Sequence, residues 1–232
     1  MSQLLRTDRD GVVELRLHRP EQRNALSTAL LTALRDQLAD VAADPGVRVV
    51  ILTGSPPAFC AGADLRELGP DAPAAPRLRR TRLVVEVLRR LSELEHPTLA
   101  AVNGPAVGAG WGLALACDLC LAAEAATFSL PEVTKGFRLP GPLVARLAQV
   151  VGPVRAAEVV FGGATYDTAA AVAAGWVTRV LPDATALAAE ARSYAARLAA
   201  APRRAITAAK HPLRHFAPAA PFPPLELVWT EE

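Results

Sequence analysis

The segments of this chain best suited to chemistry are two small-residue loops rather than any cluster of side chains. The first is Phe59-Cys60-Ala61-Gly62-Ala63-Asp64-Leu65. The second is Asn103-Gly104-Pro105-Ala106-Val107-Gly108-Ala109-Gly110-Trp111-Gly112. Each follows an apolar run that reads as a buried strand and precedes a helical pattern. Minimal side chains let backbone N–H groups approach a ligand closely, and an N–H at a helix start carries the positive end of the helix dipole. Two such loops side by side direct two N–H groups at one oxygen, the oxyanion-hole arrangement that stabilises an enolate or a tetrahedral intermediate. Spacing alone leaves a plainer account standing beside it: two tight turns in close-packed α/β structure.

Other chemistries find less support. No Gly-x-x-x-x-Gly-Lys-Ser/Thr occurs, and Gly108-Ala109-Gly110-Trp111-Gly112 lacks the phase of a dinucleotide-binding loop. Cys117-Asp118-Leu119-Cys120 is a lone C-x-x-C without the further ligands that a zinc site requires. His18, His96, His211 and His215 are scattered, and no serine sits in a nucleophile elbow. No metal and no nicotinamide are expected, and Cys60 is read as a small buried side chain.

The elements that must hold the loops are legible from periodicity. Val12 to His18 alternates around Val13, Leu15 and Leu17, a half-buried strand. Ser27 reads as a helix N-cap ahead of Leu30, Leu34, Leu38 and Val41, and Asp44-Pro45-Gly46 stops that helix. Val47 to Leu52 is a β-branched run of the kind buried on both faces. Leu83, Val87, Leu88, Leu91 and Leu94 mark an amphipathic helix ended by His96-Pro97, and Thr98 to Val102 a short buried strand. Leu119 to Ala123 and Thr127 to Leu130 read as further strands. Beyond Pro140 the pattern is helical, apart from a strand near Trp176 to Val180; Ala184 to Ala200 and Arg203 to Lys210 are the clearest helices. Strand, helix and glycine loop alternate, which is α/β.

Composition sets the class. Of the 232 residues 51% are apolar and 21% charged, enough to build a core of one or two domains. The 25 basic and 23 acidic side chains nearly cancel, so no overall field points to nucleic acid or an anionic membrane. Three cysteines are too few for a disulfide framework. The first ten residues do not resemble a secretory signal, and the most apolar run, Ala106 to Ala123, is broken by Asp118 and glycines. A soluble, cytoplasmic protein is expected.

Taken together, the two loops resemble the paired loops of the crotonase superfamily, the enoyl-CoA hydratase/isomerase family. The likeness extends to His18-Arg19-Pro20-Glu21-Gln22-Arg23-Asn24-Ala25-Leu26, Cys117-Asp118, Phe128-Ser129-Leu130-Pro131-Glu132-Val133, Gly175-Trp176-Val177 and Ile206-Thr207-Ala208-Ala209-Lys210. It covers residues 10 to 210. It implies a crotonase-like (ClpP/crotonase) spiral of repeated ββα units over residues 1–200. A helical, Pro-rich C-terminal region follows over 201–232, shorter than is usual. It also implies an acyl-CoA substrate with no tightly bound cofactor, coenzyme A being part of the thioester, and a homotrimer or dimer of trimers.

Residue by residue, the resemblance makes the N–H groups of Ala63 and Ala109 the oxyanion donors and Glu132 the acid/base. Ala61, Gly62, Asp64, Leu65 and Arg66 fall on the strip that contacts coenzyme A, with Arg23 and Ala25 beside it. Arg23 and Arg66 stand where side chains meet the phosphates, although Glu21 replaces a lysine that is frequent in relatives. Gly108, Trp111 and Gly112 fall on the acyl side. Trp111 is expected to line or narrow the acyl pocket, with core packing the equal alternative, and Tyr166 and Phe137 are candidate pocket walls. Hydratases of the family use two glutamates, and the first of these positions is Gly112 here. One carboxylate suffices for proton transfer next to a thioester, so double-bond isomerisation is expected ahead of hydration, decarboxylation, carbon–carbon cleavage or a non-catalytic acyl-CoA-binding role. Lys135 to Pro142 resembles the family's glycine-proline turn without its glycine-glycine continuation.

Overall fold

The computed structural model describes residues 2–67 and 74–215. Its framework is a six-stranded sheet in which period-2 alternation feeds two separate cores. Strands β1 (Leu4–Arg9), β2 (Val12–Leu17) and β3 (Val49–Gly54) are followed by β4 (Thr98–Val102), β5 (Ala106–Val107), β6 (Leu119–Ala123), β7 (Phe128–Ser129), β8 (Thr165–Tyr166) and β9 (Arg179–Leu181). The large sheet has the order β1-β2-β3-β4-β6-β9 and is parallel except for the β1–β2 hairpin; β5, β7 and β8 form a small second sheet. In β3, Val50 and Leu52 enter one core while Val49 and Ile51 enter the other. Ala100 and Val102 oppose Leu99 and Ala101 in the same way in β4.

The larger core is covered by α1 (Thr28–Ala43), α2 (Ala74–Glu93), α3 (Ala109–Ala116), α4 (Gly141–Val151) and α5 (Pro153–Gly162), with the short α6 (Thr168–Ala173) contributing Ala171. The opposite face is closed by α7 (Ala184–Ala200), whose Leu187, Ala191 and Ala195 recur every fourth residue. Capping is local: Ser27 Oγ accepts from Leu30 N at 3.1 Å, and Asp183 Oδ1 accepts from Thr185 N and Ala186 N at 2.8 Å.

Several expectations need correction. Residues 4–9 form an edge strand that hydrophobic periodicity does not mark, because only Leu4 of β1 is buried. The signal was present in Asp10-Gly11, whose positive φ values of 50° and 78° make the two-residue turn that matches strand twist. Strand β9 lies at Arg179–Leu181, shifted from the expected Trp176–Val180, since Trp176 and Val177 are core residues ahead of it. The two-residue strand β8 was also not foreseen.

The last described helix, α8 (Arg203–His215), runs past the expected stop at Lys210 with Pro212 inside it. Residues 216–232, most of the expected Pro-rich region, lie outside the described residues. Lys210 fastens α8 to the sheet: its Nζ donates to the His96 carbonyl at 2.6 Å and to Asp118 Oδ2. Asp118 Oδ2 also accepts from Thr98 N at 2.7 Å and Thr98 Oγ1 at 2.8 Å. An Asp118→Ala variant is expected to lose about 3 kcal/mol, because it strips three donors of a shared anion. Urea denaturation measures the loss, and a value under about 1 kcal/mol would contradict this account.

Candidate active site

The first loop is clamped from outside by residues 19–26. Asn24, fully buried in the left-handed region at φ 56°, donates from Nδ2 to Ser55 O and Ala58 O, both at 2.7 Å, while its Oδ1 accepts from Arg19 N at 2.9 Å. The neighbouring backbone bonds directly to the loop: Ala61 N donates to Arg23 O (2.9 Å), Leu26 N to Gly62 O (2.7 Å) and Asp64 N to Leu26 O (3.3 Å). Ala63 N–H lies between these committed groups and has no acceptor among the described residues.

The second loop is tied to the first by a Cys60–Ala106 bridge, through Cys60 N to Pro105 O (3.1 Å) and Val107 N to Cys60 O (2.9 Å). Gly108 N donates to Ser129 O (2.8 Å), and α3 begins at Ala109. The Ala109 N–H is one of the orphan donors of a helix start and also lacks an acceptor among the described residues. The loops touch backbone to backbone. Gly62, at φ +82°, leaves no room for a side chain: a Cβ there would stand 2.6 Å from Val107 O and 3.7 Å from Ala109 N. The structure therefore brings the Ala63 and Ala109 segments together with both N–H groups uncommitted.

Glu132 completes the cluster. It follows β7 and precedes a single 3-10 turn, Val133–Lys135, and its carbonyl accepts from Lys135 N and Phe137 N. Its carboxyl lies against Gly108: a Cβ on that glycine would be 2.0 Å from Glu132 Oε1. Oε2 is buried without a hydrogen-bond partner among the described residues. Burial pushes the carboxyl above the usual carboxylate range, partly offset by its own backbone N–H and by Lys135.

The other predicted residues sort into three groups. Asp64 is buried beneath the first loop, paired with Arg19 at 2.9 Å and Arg66 at 3.0 Å, which lower its pKa to about 2. Its carboxylate is thus committed to loop packing and not presented to a ligand. Arg23, Leu65 and Arg66 stand exposed on the outer side of the loop, whereas Ala25 is buried with its carbonyl bonded by the Arg19 guanidinium. Trp111 takes the core-packing alternative: it is 1% exposed and packs against Phe128 (ring centroids 5.7 Å) and Trp176 (4.9 Å). Tyr166 packs edge-on against the same Trp176, and Phe137 stands half exposed beyond Glu132. Asn24 and Arg19 hold the loop without being candidates from sequence; the signal for Asn24 is an asparagine in a tight turn, one of the few residues at ease with positive φ. Cys60, Cys117 and Cys120 are buried free thiols, all pushed up by desolvation.

A family profile described as enoyl-CoA hydratase/isomerase matches residues 7–220. The chain is 38% identical over 218 residues to 2,3-dehydroadipyl-CoA hydratase of Escherichia coli K12, covering 92% of this chain and 82% of that protein. Among solved structures, an enoyl-CoA hydratase from Bacillus anthracis superimposes with a TM-score of 0.87 at 32% identity, covering 91% of this chain and 82% of its own. A putative enoyl-CoA hydratase/isomerase (crotonase) from Legionella pneumophila does so with 0.88 at 28%, covering 94% and 84%. This chain belongs to the enoyl-CoA hydratase/isomerase family, and its fold is crotonase-like.

Asp64 yields a pH signature. Its folded pKa is depressed, so its contribution to stability is complete above its ordinary value of 3.8 and is lost as pH falls through about 2. The stability gap between wild type and Asp64→Asn, followed by urea titration, is expected to be constant above pH 4, to shrink between pH 4 and 2, and to close below. A gap that does not change with pH would contradict the ion pairs.

Proposed function

We propose that the protein is an acyl-CoA isomerase that moves a double bond along an enoyl thioester with Glu132 as its single acid/base. Glu132 carboxylate takes a proton from C2 of a 3-enoyl thioester. The electron pair spreads through C2–C4 and onto the thioester oxygen, which accepts from Ala63 N–H and Ala109 N–H. Glu132 then returns the proton at C4, leaving the 2-enoyl isomer with atoms and charge in balance. The observation that carries this reading is the Glu132 carboxyl, its Oε2 buried without a partner among the described residues and its Oε1 lying against Gly108, one residue before an uncommitted Ala109 N–H. A carboxyl raised by burial is a better base near neutrality, and general acid–base catalysis by a positioned side chain contributes ~10²–10⁴-fold in rate.

In this reading coenzyme A enters only as part of the substrate. Its phosphates meet the exposed Arg23 and Arg66, and Leu65 lies along the same outer strip. Enoyl-CoA hydration is the second reading, favoured by the hydratase names of the relatives. Assembly as a trimer or a dimer of trimers is part of the proposal. It is supported by Val154 and Phe161 of α5 and Leu213 of α8, which stand 84%, 71% and 73% exposed. Sedimentation equilibrium is expected to give three or six chain masses, and a monomer would overturn that part.

Two variants test the chemistry. Glu132→Gln is expected to lower double-bond migration and exchange of solvent deuterium at C2 by at least about 10²-fold; unchanged turnover would overturn the assignment. In the wild type, kcat/KM should rise with pH through a limb displaced upward from the ordinary 4.5, because the base acts deprotonated. Ala109→Pro deletes one oxyanion donor at the first helical position, where proline is tolerated, and is expected to cost about 3–4 kcal/mol of transition-state stabilisation with the helix retained.

A further inference from the structure

Gly112 ends the first turn of α3, at a place where a side chain would press on its neighbours. Its N–H donates to Gly108 O at 3.0 Å, which closes that turn. A Cβ on Gly112 would meet Leu143 Cδ1 at 2.7 Å and Leu88 Cδ1 at 3.5 Å, whereas a Cβ on Gly108 would meet Glu132 Oε1 at 2.0 Å. The two α-carbons stand about one helical turn apart, ~5–6 Å. The Glu132 carboxyl and the Leu143 methyl therefore bear on the two ends of one turn. Leu143 comes from the start of α4 and Leu88 from α2, and they are 2% and 8% exposed. A stable water needs room and two to four polar partners. The three atoms nearest the place of a Gly112 side chain all belong to Leu143 and Leu88. The Leu143 methyl occupies the volume into which any side chain at 112 would grow.

We propose that Leu143, backed by Leu88, is a specificity-determining residue that excludes water from the space beside Glu132 and so reserves that carboxyl for proton transfer to carbon. The proposal rests on the reading of Glu132 as acid/base. It also makes sense of the pairing of a glycine at 112 with a leucine at 143, one position giving up volume that the other fills.

The test compares wild type, Glu132→Gln, Leu143→Ala, Leu143→Gln, Leu143→Met and Gly112→Glu with and without Leu143→Gly. Each is assayed with short 3-enoyl-CoA and 2-enoyl-CoA esters for double-bond migration and for water addition, with a thermal melt recorded alongside. Leu143→Ala is expected to raise the ratio of hydration to migration by about tenfold or more, and Leu143→Met, which conserves volume, to restore the wild-type ratio. Gly112→Glu with Leu143→Gly is expected to hydrate about tenfold faster than Gly112→Glu alone, whose new side chain meets Leu143. Leu143→Gln adds one atom of length and brings a water-binding amide, so it carries the test alone if the alanine variant fails to fold. An unchanged product ratio in a folded Leu143 variant overturns the proposal. So does a wild type that already adds water as fast as it moves the double bond while Glu132→Gln abolishes both, an outcome that leaves the acid/base reading intact. Full activity in Glu132→Gln overturns that reading instead.

Discussion

The constraint on which the rest of the site depends is the direct backbone contact between the loops at 60–64 and 105–109. Val107 O lies 2.6 Å from where a Gly62 side chain would start, and Cys60 exchanges two hydrogen bonds with Pro105 and Val107. Approach this close is possible only with glycine at 62, whose φ of +82° an L side chain resists. Every buried backbone donor in such a contact must find an acceptor or incur a desolvation cost. The segment from Arg23 to Leu26 accepts from Ala61 N and Asp64 N and donates to Gly62 O, and Ser129 O accepts from Gly108 N. Ala63 and Ala109 are left over by geometry, so the same packing that ties the loops together frees the two donors.

Glu132 is the second unsettled group, and its cost follows from the same packing. A carboxyl oxygen buried without a partner destabilises the fold by about 1–3 kcal/mol, and native structures rarely keep such groups without a role. The large sheet supplies the rigidity to hold it. Strands β3, β4 and β6 are anchored on both faces, and β7 hands Glu132 to Gly108 through the Gly108–Ser129 bond. A loop held from one side only would let the carboxyl swing toward solvent, where its pKa would return to the ordinary range.

Much of this was legible in the residues, but unevenly. The loops announced themselves by spacing, the strands at 49–54 and 98–102 by unbroken apolar runs, and α1 by Ser27. Glu132 had no local signal: one glutamate among many polar residues is indistinguishable until the fold lays it on Gly108, and only the family likeness singled it out. Trp111 stands open in sequence between a pocket wall and core packing; an aromatic on a helix of eight residues faces whichever side is apolar, and Phe128 and Trp176 supply that side. Strand β1 was missed because an edge strand buries little, so its alternation of Arg6 and Asp8 with Leu5 and Thr7 carries no hydrophobic period. Leu143 is an ordinary core leucine in sequence, and its relation to Gly112 exists only in three dimensions.

Two carboxylates flank the loops, and their surroundings drive them in opposite directions. Asp64 is buried among cations: Arg19 and Arg66 stabilise its charge and hold it at about 2. Glu132 is buried without a direct charged partner, and desolvation raises it. Burial alone therefore does not set the role; the neighbouring guanidinium groups do. Near neutral pH Asp64 cannot take up a proton at useful cost and acts as a fixed anion that orders the first loop. Glu132 is the carboxylate whose proton affinity lies closer to that of a working acid/base. Removing Arg19 or Arg66 would weaken the distinction, because a less tightly held Asp64 would loosen the loop that positions Ala63 while doing nothing for the proton at Glu132. The arginines beside the first loop thus act by taking one carboxylate out of proton exchange near neutral pH.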